Sequence, residues 1–544
     1  MTLNDECKLK SDEATREHKT SWGSKLKTIY TSDDVKGIDQ SEPKQAGEYP
    51  FTRGIYPEMY RKQLWTKRFL VGHGSVESFN KRQKVLLEAG QTGISFVPCS
   101  NSYMRGYDSD MVEKEIVGRT GSPIDSMLDM EIAFKGIPLD SISAAFNDSN
   151  PHVLIAMYFV LAQKQGIDIS ILQGTSNQSD VISHWLSCQQ QIRFPLDAHL
   201  RGMVDHVIYC IKHIPKWHPL SIVGQHMGEG GLLPAQEAAF ALSSGKAFVR
   251  KLIEAGLDVD TFAPRLSFFF NIRSKFFEEI AKFRALRKIW ARIMRDEFGA
   301  KNPKSWLLKF HAQTTGVELA AKEATNNIVR SAFHSLAAVF GGVQSLHTDA
   351  YDEALWTPTP DAQRLALMTH NIIAEETGAT AVVDPLGGSY FIESLTKDIE
   401  EKICEEIETV DKMGGMLEAV NAGYIQERIR ASASERQRAL DKGEETWVGV
   451  NKYQLENEAV KYPPQNEMDF SQIDRQIERT QKLRRTRDQD KAKRALESLR
   501  KIAETGEGNL FEGLMEAVKV YVTHGEIIKE LRDVFGFGRP DVIY

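Results

Sequence analysis

One segment of the sequence decides the fold: LSIVGQH (220–226), PAQEAAFALSSGKAFVRKLIEAG (234–256) and RLSFFFN (265–271). Two short apolar runs end in small or polar residues, and a longer amphipathic, helix-like stretch lies between them. Short apolar runs bounded in this way are typical of buried strands. The segment therefore predicts a strand, a helix and a second strand in succession, the repeat from which α/β proteins are built.

The same alternation extends along the chain. Apolar runs recur roughly every 30 to 50 residues, with helix-like segments between several of them. In residues 274–299 the apolar side chains recur at steps of one, three and four, as on one face of a helix. The further runs are TGISFVPC (92–99), SISAAFN (141–147), ILQGTSN (171–177), LLKFHAQ (307–313), VQSLHT (343–348) and, as an eighth, TAVVDPLG (380–387).

Seven or eight strand–helix units predict a (β/α)8 TIM barrel, an α/β fold. A doubly wound open sheet has the same repeat and is the alternative. Polar residues at the carboxyl ends of the predicted strands favour the barrel, because barrel enzymes carry their chemistry there. These residues are Asn177, Gln225, His226, Gln313 and His347.

Composition and the pattern of polar and apolar residues divide the chain into three parts. Residues 1–48 are polar and predict an extended N-terminal arm that contacts another subunit. Residues 49–400 predict the barrel, and residues 401–544 predict a helical C-terminal extension. Within the extension, residues 471–505 mix bases and acids without aromatic residues, which favours a solvated helix face over a nucleic-acid site.

Composition excludes several classes of protein. With 544 residues, 41% of them hydrophobic, the chain can bury a large core, which rules out wholesale disorder. A net charge of −7 argues against nucleic-acid binding, and no apolar stretch is long enough to span a membrane. The five cysteines form no CxxC pair, which predicts a reduced cytoplasmic protein without a disulfide framework or a metal site.

Longer motifs carry a specific resemblance. They run in order from about residue 48 to the C-terminus. The motifs are GIYPEMYRKQLWTKR (54–68), GQTGISF (90–96), GYDSD (106–110), IPKWHPLSIVGQH (214–226), FAPRLSFFF (262–270), FGAKNPKSW (298–306), GGVQSLHTDAYDEA (341–354), VVDPLGGSYF (382–391) and MGGM (413–416). In these motifs the chain resembles the large, substrate-binding subunit of the methylmalonyl-CoA mutase family. Within that family it looks most like the two-subunit mutases that act on isobutyryl-CoA or 2-hydroxyisobutyryl-CoA.

The resemblance implies an isomerase that rearranges the carbon skeleton of an acyl-CoA with the help of adenosylcobalamin. In this family the cofactor supplies the radical chemistry, and the protein holds the thioester and keeps water out. The CoA chain of family members threads along a barrel axis lined with small hydrophilic side chains, an exception to the usual packed interior.

The resemblance also implies roles for individual residues. His226 matches the family histidine that hydrogen-bonds the thioester carbonyl, a task for a neutral imidazole N–H. The positions that match adenosyl-binding residues of the family are Glu229, Gln313, Gly316, Asp349 and Glu353. Those that match CoA-binding residues are Tyr56, Met59, Thr66, Arg68, Ser95, Thr175, Arg265, Ser267 and Ser345. A further phosphate-binding arginine of the family is replaced by Gln63, with Arg61 and Lys62 beside it.

The expected substrate pocket departs from the family. It comprises Leu70, Val97, Asn177, Gln189 and Gln225. Methylmalonyl-CoA mutases hold the free carboxylate of the substrate with an arginine, but the matching residues 187–189 contain none. Burial of an unpaired carboxylate costs roughly 3–5 kcal/mol, which argues against a dicarboxylic acyl-CoA. Leu70 favours a 2-hydroxyisobutyryl enzyme, whereas Val97 replaces the aspartate of those enzymes and points the other way.

The cobalamin-ligating motif DxHxxG of the family does occur, as DAHLRG (197–202), but within the barrel region. We therefore interpret His199 as a structural residue and expect no cobalamin-binding domain in this chain, which ends at FGFGRPDVIY. A separate small subunit is expected to ligate the cobalt, in a heterotetramer of two large and two small subunits. The N-terminal arm is expected to dock on that small subunit.

Two alternatives remain open at this point. The altered pocket is also compatible with a catalytically silent scaffold that stabilises a partner, or with a CoA-binding barrel that performs a different chemistry.

Overall fold

The computed structural model describes residues 17–38, 45–148, 150–177, 179–187, 194–454, 465 and 467–538. Its centre is a parallel sheet of nine strands. They are β1 (Thr66–Val71), β2 (Gly93–Phe96), β3 (Ser143–Phe146), β4 (Gln173–Ser176), β5 (Trp217–His218), β6 (Leu220–Val223), β7 (Leu266–Ile272), β8 (Phe310–Thr314) and β9 (Ser345–His347).

The sheet forms a nearly closed barrel. Strand β1 lies beside β9, so the first and last strands of the chain are neighbours, and the order around the barrel is β5-β4-β3-β2-β1-β9-β8-β7-β6. Strands β5 and β6 are separated only by Pro219. A proline lacks the N–H that a ladder needs, so one strand is divided into two short pieces. The predicted TIM-type barrel is confirmed.

The prediction of an eighth strand at residues 380–387 is wrong. That segment forms turns and bends, and the predicted runs omit both the two-residue β5 and the whole of β1. Its first three residues are Thr66, Lys67 and Arg68, and these polar side chains hide the apolar alternation that marks a strand. The other seven predicted runs each contain a strand.

Helices surround the barrel. In the first half of the chain they are α1 (Met59–Lys62), α2 (Val76–Glu88), α3 (Met127–Ala133), α4 (Val153–Lys164), α5 (Val181–Ser187), α6 (Leu196–His213), α7 (Gln225–Glu229), α8 (Pro234–Glu254) and α9 (Val259–Phe262). They continue with α10 (Phe276–Arg292), α11 (Asn326–Phe340), α12 (Pro360–Glu375), α13 (Tyr390–Lys412), α14 (Met416–Asn421), α15 (Tyr424–Asp441), α16 (Phe470–Thr486), α17 (Gln489–Thr505), α18 (Leu510–Lys519) and α19 (His524–Phe535). Among the residues described, no helix combines the length and the apolar character that a bilayer crossing requires.

The hydrophobic core lies between the strands and these helices. Alternate residues of each strand point outward, as the period of two requires. In β7, for example, Leu266, Phe268 and Phe270 pack into the outer core, while Ser267 faces the barrel axis. Helix α13 packs on α8 and α10, and it continues across residue 400, the predicted end of the barrel.

The described part of the N-terminal arm lies on the barrel's own helices. The Trp22 indole N–H donates to Asp398 at 2.8 Å, and the Ser21 backbone N–H donates to Glu278 at 3.1 Å. The Tyr30 ring contacts Phe391 with centroids 5.0 Å apart. The arm therefore has a partner within the chain, whereas its expected contact with a small subunit stays a prediction.

The C-terminal helices are tied to the loop that follows β2. Arg484 of α16 donates to Asp110 at 2.6 Å and to Asp108 at 2.5 Å, and Asp108 also accepts the Gly525 N–H at 2.7 Å. Burial raises the pKa of Asp108 to about 6. Much of the basic cluster in residues 482–487 thus pairs within the chain, since Arg487 also binds Glu526.

Replacement of Arg484 tests this connection. In Arg484→Met the buried carboxylate of Asp108 loses its counter-ion, so we expect the free energy of unfolding to fall by about 3 kcal/mol. Arg485→Met is the matched control, because Arg485 is exposed on the same helix. Urea unfolding followed by circular dichroism measures both variants. Equal midpoints for the two would contradict a stabilising role of the pair.

Candidate functional site

A cavity of about 640 Å³ enters the barrel from the amino-terminal ends of the strands. One wall is the segment Tyr56–Thr66, which lies across this end of the barrel. The rest of the lining comes from the strands, from the loops that precede them and from one residue that follows β4: Arg68, Ser143, Gln173, Gly174, Thr175, Asn177, Lys216, His218, Ser221, Ser267, Lys309, Phe310, His311, Val343, Gln344 and Ser345.

The side chains that face the axis are small or polar where a TIM barrel normally carries bulky apolar residues. Several have no hydrogen-bond partner among the described residues. They are the hydroxyls of Ser95 and Thr175, Nε2 of His311 and Nε of Arg68. Buried polar groups are normally paired, so these atoms are suited to a polar ligand that enters along the axis.

Positive charge gathers at the amino-terminal mouth. Lys62, Lys216 and Lys309 line the cavity there, and the Lys309 ammonium donates to the Pro264 carbonyl at 2.8 Å. Burial, with a contribution from Arg265, lowers the pKa of Lys309 to about 8. A nearby anion would raise this pKa again, so this mouth is suited to a phosphorylated ligand.

Arg68 extends the positive charge into the barrel. It is 4% exposed, and its guanidinium donates to the Ile94 carbonyl at 2.8 Å and the Ser143 hydroxyl at 2.7 Å. No carboxylate pairs with it among the described residues. Burial lowers its pKa to about 10.

The structure brings most of the predicted CoA-binding residues to one cavity. Tyr56, Met59, Thr66, Arg68, Thr175, Ser267 and Ser345 all line it. Ser95 and Arg265 do not belong to the lining, although the Arg265 carbonyl lies 3.0 Å from Nδ1 of His218. Of the two basic residues noted beside Gln63, Lys62 lines the cavity, whereas Arg61 donates to the Ala381 carbonyl.

His226 lies at the opposite, carboxyl-terminal end of the barrel. It belongs to the short helix α7 and not to the strand end where the sequence had suggested it. Its ring stacks on His184 with centroids 4.9 Å apart, and Nδ1 lies 3.3 Å from the Ser183 hydroxyl. Burial lowers the pKa of His226 to about 4, so the imidazole is neutral at physiological pH.

Helix α7 also carries Glu229, one turn after His226. Glu229 accepts from the Thr315 hydroxyl at 2.6 Å and from the Val317 N–H at 3.2 Å. Burial and then the charge of Asp349 raise its pKa to about 7. A Cβ at Gly316 would stand 3.6 Å from Glu229 and 4.0 Å from Asp349, so this glycine borders both acids.

Asp349 is the centre of this group of acids. It is 1% exposed, and one oxygen binds the Gln313 amide and the His347 imidazole, each at 3.0 Å. The other oxygen has no hydrogen-bond partner in the described part of the chain. Burial raises the pKa of Asp349 to about 8. Desolvation, followed by repulsion from Asp349, also raises the pKa of Glu353, but this residue is exposed to solvent, so water moderates the shift.

The predicted substrate-pocket residues are dispersed along the carboxyl ends of the strands. Leu70 is the second-last residue of β1 and lies next to His347, to which its N–H donates at 3.3 Å. Asn177 donates to Asn147 at 2.9 Å. Gln225 begins α7, and Val97 follows β2. Gln189 lies outside the described residues.

Several residues near the site were not predicted from the sequence. Lys309 and His311 are separated from the recognised motifs, and Ser183 and His184 lie on α5, a helix without a predicted function. A search for polar residues on the inward positions of each strand would have found His311, because it alternates with Phe310 and Ala312.

His199 of the DAHLRG segment is buried and has partners within the chain. It is 6% exposed; the Phe194 N–H donates to its Nε2 at 3.3 Å, and its Nδ1 lies 3.4 Å from the Asn150 amide oxygen. Both ring nitrogens thus contact other residues of the chain, which accords with the interpretation of this motif as structural, and that interpretation stays a prediction.

Sequence comparison relates the chain to known proteins. The family model described as methylmalonyl-CoA mutase matches residues 19–537. A 2-hydroxyisobutanoyl-CoA mutase large subunit from Aquincola tertiaricarbonis is 40% identical over 522 residues, or 95% of this chain and 92% of that protein. The methylmalonyl-CoA mutase of Rhizobium meliloti (strain 1021) is 42% identical over 525 residues, or 95% of this chain and 72% of that protein. The mitochondrial methylmalonyl-CoA mutase of Homo sapiens is 41% identical over 521 residues, or 95% of this chain and 68% of that protein.

The matched region includes all nine strands and both ends of the barrel. The resemblance seen in the motifs is confirmed over nearly the whole chain, and acyl-CoA mutases are isomerases. The protein belongs to the methylmalonyl-CoA mutase family.

Proposed function

We propose that the protein is the large subunit of an adenosylcobalamin-dependent mutase that rearranges a short branched acyl-CoA. The observation that carries the proposal is the open polar axis of the barrel. It opens at a basic mouth and extends as far as Asn177, just after the carboxyl end of β4. A neutral histidine and a group of acids lie at that same end of the barrel.

The basic mouth is suited to the phosphates of CoA. Lys62, Lys216 and Lys309 present ammonium groups to the cavity, and Tyr56 provides an aromatic surface that is 43% exposed. Beyond them the inward serines and threonines offer hydroxyls to the amide groups of the pantetheine chain. The acyl thioester would then reach the carboxyl ends of the strands, near His226.

His226 would act on the thioester as a hydrogen-bond donor. Because its pKa is lowered to about 4, it holds no transferable extra proton near neutral pH. A neutral N–H can stabilise developing charge on the carbonyl oxygen without full proton transfer. The neighbouring protein would keep water away from the reacting carbons.

The acids at the carboxyl end fit the ribose of an adenosyl group. The unpartnered oxygen of Asp349 is buried and borders Gly316, and Glu229 and Glu353 provide further acceptors. Ribose hydroxyls donate to carboxylates in strong, charge-assisted hydrogen bonds. When bound, adenosylcobalamin supplies the radical that starts the rearrangement, while these residues would hold the sugar.

For the substrate, the proposal favours an isobutyryl-CoA or 2-hydroxyisobutyryl-CoA type of acyl group over methylmalonyl-CoA. The support is the lack of an arginine at residues 187–189, where the family binds the second carboxylate. Leu70 and Val97 would border the acyl carbons. Leu70 favours a 2-hydroxyisobutyryl group, whereas Val97 favours an isobutyryl group.

The proposal includes a small subunit that carries the cobalamin and ligates its cobalt, in a heterotetramer of two large and two small chains. It is supported by the name of the Aquincola relative, a large subunit, and by the partners of His199 within the chain. A cytoplasmic location is part of the proposal and accords with the unpaired Cys99, Cys210 and Cys404.

The direct test combines the chain with its small subunit, adenosylcobalamin and a panel of C4–C6 acyl-CoA thioesters. We expect a rearranged acyl-CoA, detected by liquid chromatography and mass spectrometry, from a monocarboxylic branched member. No product from any thioester would overturn the proposal and favour a silent scaffold. Product in the absence of cobalamin would indicate a different chemistry.

Replacement of the histidine tests its role in that reaction. In His226→Asn we expect kcat to fall by about 10²- to 10³-fold, the usual effect of losing one donor to a developing oxyanion. CoA binding should change little, because the phosphates and the pantetheine bind elsewhere along the axis. Steady-state kinetics and calorimetric titration with CoA separate the two effects. Equal losses in kcat and in CoA affinity would contradict this role.

Replacement of a lysine tests the basic mouth. In Lys309→Met we expect the affinity for CoA to fall by roughly 10- to 100-fold, because a charge-assisted bond to phosphate is worth about 1.5–3 kcal/mol. Lys301→Met is the control, since Lys301 is exposed and does not line the cavity. Calorimetric titration with CoA and with dephospho-CoA measures the affinity. An unchanged affinity in Lys309→Met would place the phosphates elsewhere.

The acids predict a pH dependence of ribose binding. Burial raises the pKa of Asp349 to about 8, so this acid is mostly protonated at lower pH in the free protein, whereas a ribose hydroxyl prefers the ionised acceptor. Affinity for 5′-deoxyadenosine should therefore rise from pH 6 to pH 8 and level off above pH 9. Each titrating group can change this affinity by at most about tenfold per pH unit.

Asp349→Asn should flatten this rise, and Asp361→Asn, which alters an exposed acid of α12, should leave it unchanged. Calorimetry in buffers of different ionisation heat measures both the affinity and the protons released. Affinity that falls with pH, or a rise unaffected by Asp349→Asn, would exclude these acids from the ribose site.

A further inference from the structure

Ser183 contacts the histidine on which the proposed function depends. Its hydroxyl oxygen is 3.3 Å from Nδ1 of His226. Within the described part of the chain, no other hydrogen-bond partner is found for that nitrogen. The inference that follows rests on the proposed function of His226 and concerns which ring nitrogen carries the proton.

Asp180 fixes Ser183 relative to the histidine. One oxygen of the buried Asp180 carboxylate accepts the N–H groups of Ile182 and Ser183, each at 2.9 Å, at the start of α5. The other oxygen accepts the N–H of Val223, the last residue of β6, at 2.8 Å. Since α7 begins two residues after Val223, the same carboxylate anchors the helix that carries Ser183 and the strand that leads to His226.

The Ser183 hydroxyl has one proton and two acceptors within reach. Besides Nδ1 of His226, the backbone carbonyl of Asp180 lies 3.2 Å away. That carbonyl already accepts the His184 N–H at 3.3 Å, so it keeps a hydrogen bond whichever way the hydroxyl turns. Donation to Nδ1 therefore satisfies the histidine and leaves no acceptor of α5 unpaired.

We propose that Ser183 is a positioning residue, whose hydroxyl donates to Nδ1 of His226 and holds the imidazole as its Nε2–H tautomer. Only this tautomer presents an N–H away from α5, toward a thioester carbonyl. The His184 ring, stacked on His226 at an interplanar angle of 29°, restrains rotation of the imidazole that would exchange the two nitrogens.

The test observes the tautomer directly in the full chain. With ¹⁵N-labelled histidine rings, long-range ¹H–¹⁵N spectra distinguish protonated from unprotonated ring nitrogens, and His226→Asn identifies the signals by their disappearance. We expect Nδ1 of His226 to be unprotonated and Nε2 protonated between pH 6 and pH 8. In Ser183→Ala the signals should move toward a mixture of tautomers, and Ser183→Thr, which retains the hydroxyl, should restore them.

Ser244→Ala is the matched control, because Ser244 is fully buried on α8 and its hydroxyl has no partner among the described residues. It should leave the His226 signals unchanged. In the assembled enzyme, Ser183→Ala should lower kcat about three- to tenfold, the effect of one lost hydrogen bond, with KM changed less than twofold. A general packing defect would affect Ser244→Ala as well and would not be rescued by Ser183→Thr.

Two outcomes would overturn the inference: Nδ1 protonated in the wild-type protein, or His226 signals that are the same in Ser183→Ala and in the wild type. Failure of the proposed function is a separate result. If the assembled protein forms no product but the His226 signals respond to Ser183→Ala as expected, the tautomer assignment stands and the mutase proposal falls.

Discussion

A barrel that stays open along its axis cannot take its hydrophobic core from its own interior. Here the inward positions carry residues such as Ser221 and Ser267, which neighbour each other across β6 and β7. The outward positions of the same strands, Ile222 and Phe268, are almost fully buried against the surrounding helices. At about 25 cal/mol for each square ångström of apolar surface, this outer layer provides the main stabilisation. The helices, including those of the C-terminal region, are therefore a structural necessity of the open axis.

The open axis also separates charge by position. Basic side chains gather at the amino-terminal mouth, where Lys309 has a lowered pKa, and acids gather at the carboxyl-terminal mouth, where Asp349 has a raised one. In both places a buried charge costs free energy unless a ligand pairs with it, either with an opposite charge or, for the acids, with a hydroxyl that donates a hydrogen bond. Arg68 lies between them with only neutral partners. A long ligand with an anionic head and a neutral tail would pair its head with the basic residues at the amino-terminal mouth. Its tail would then point toward the carboxyl-terminal end.

Much of this arrangement could be predicted from the sequence, because its determinants are local. The strand-ending polar residues, such as Gln313 and His347, follow apolar runs at a fixed distance, and the barrel topology brings them to one end. Strand β1 escapes prediction because Thr66 and Arg68 face the lumen while Lys67 reaches outward to Asn371, so polar residues occupy both faces and mask the alternation. The contact of Ser183 with His226 depends on contact between segments 43 residues apart, which no local pattern contains. Gln189 lies outside the described residues, so its predicted place in the pocket stays a prediction.

The short helix α7 shows why the carboxyl end needs buried polar contacts as well as packing. Five residues form too few hydrogen bonds to be stable alone. The helix is held from the side by Asn271, which donates to the Gln225 carbonyl at 3.2 Å, and by Arg273, which donates to the Gly228 carbonyl.

Asn271 is fixed in turn by Glu237, which accepts its backbone N–H at 2.7 Å, and by the fully buried Lys282, which donates to its carbonyl at 2.8 Å. Apolar packing alone tolerates small rotations of a helix, whereas these directional bonds define one rotation. Because His226 and Glu229 share α7, that single rotation orients the proposed thioester donor and the proposed ribose acceptor together. A displacement of the helix would therefore disturb both sites at once.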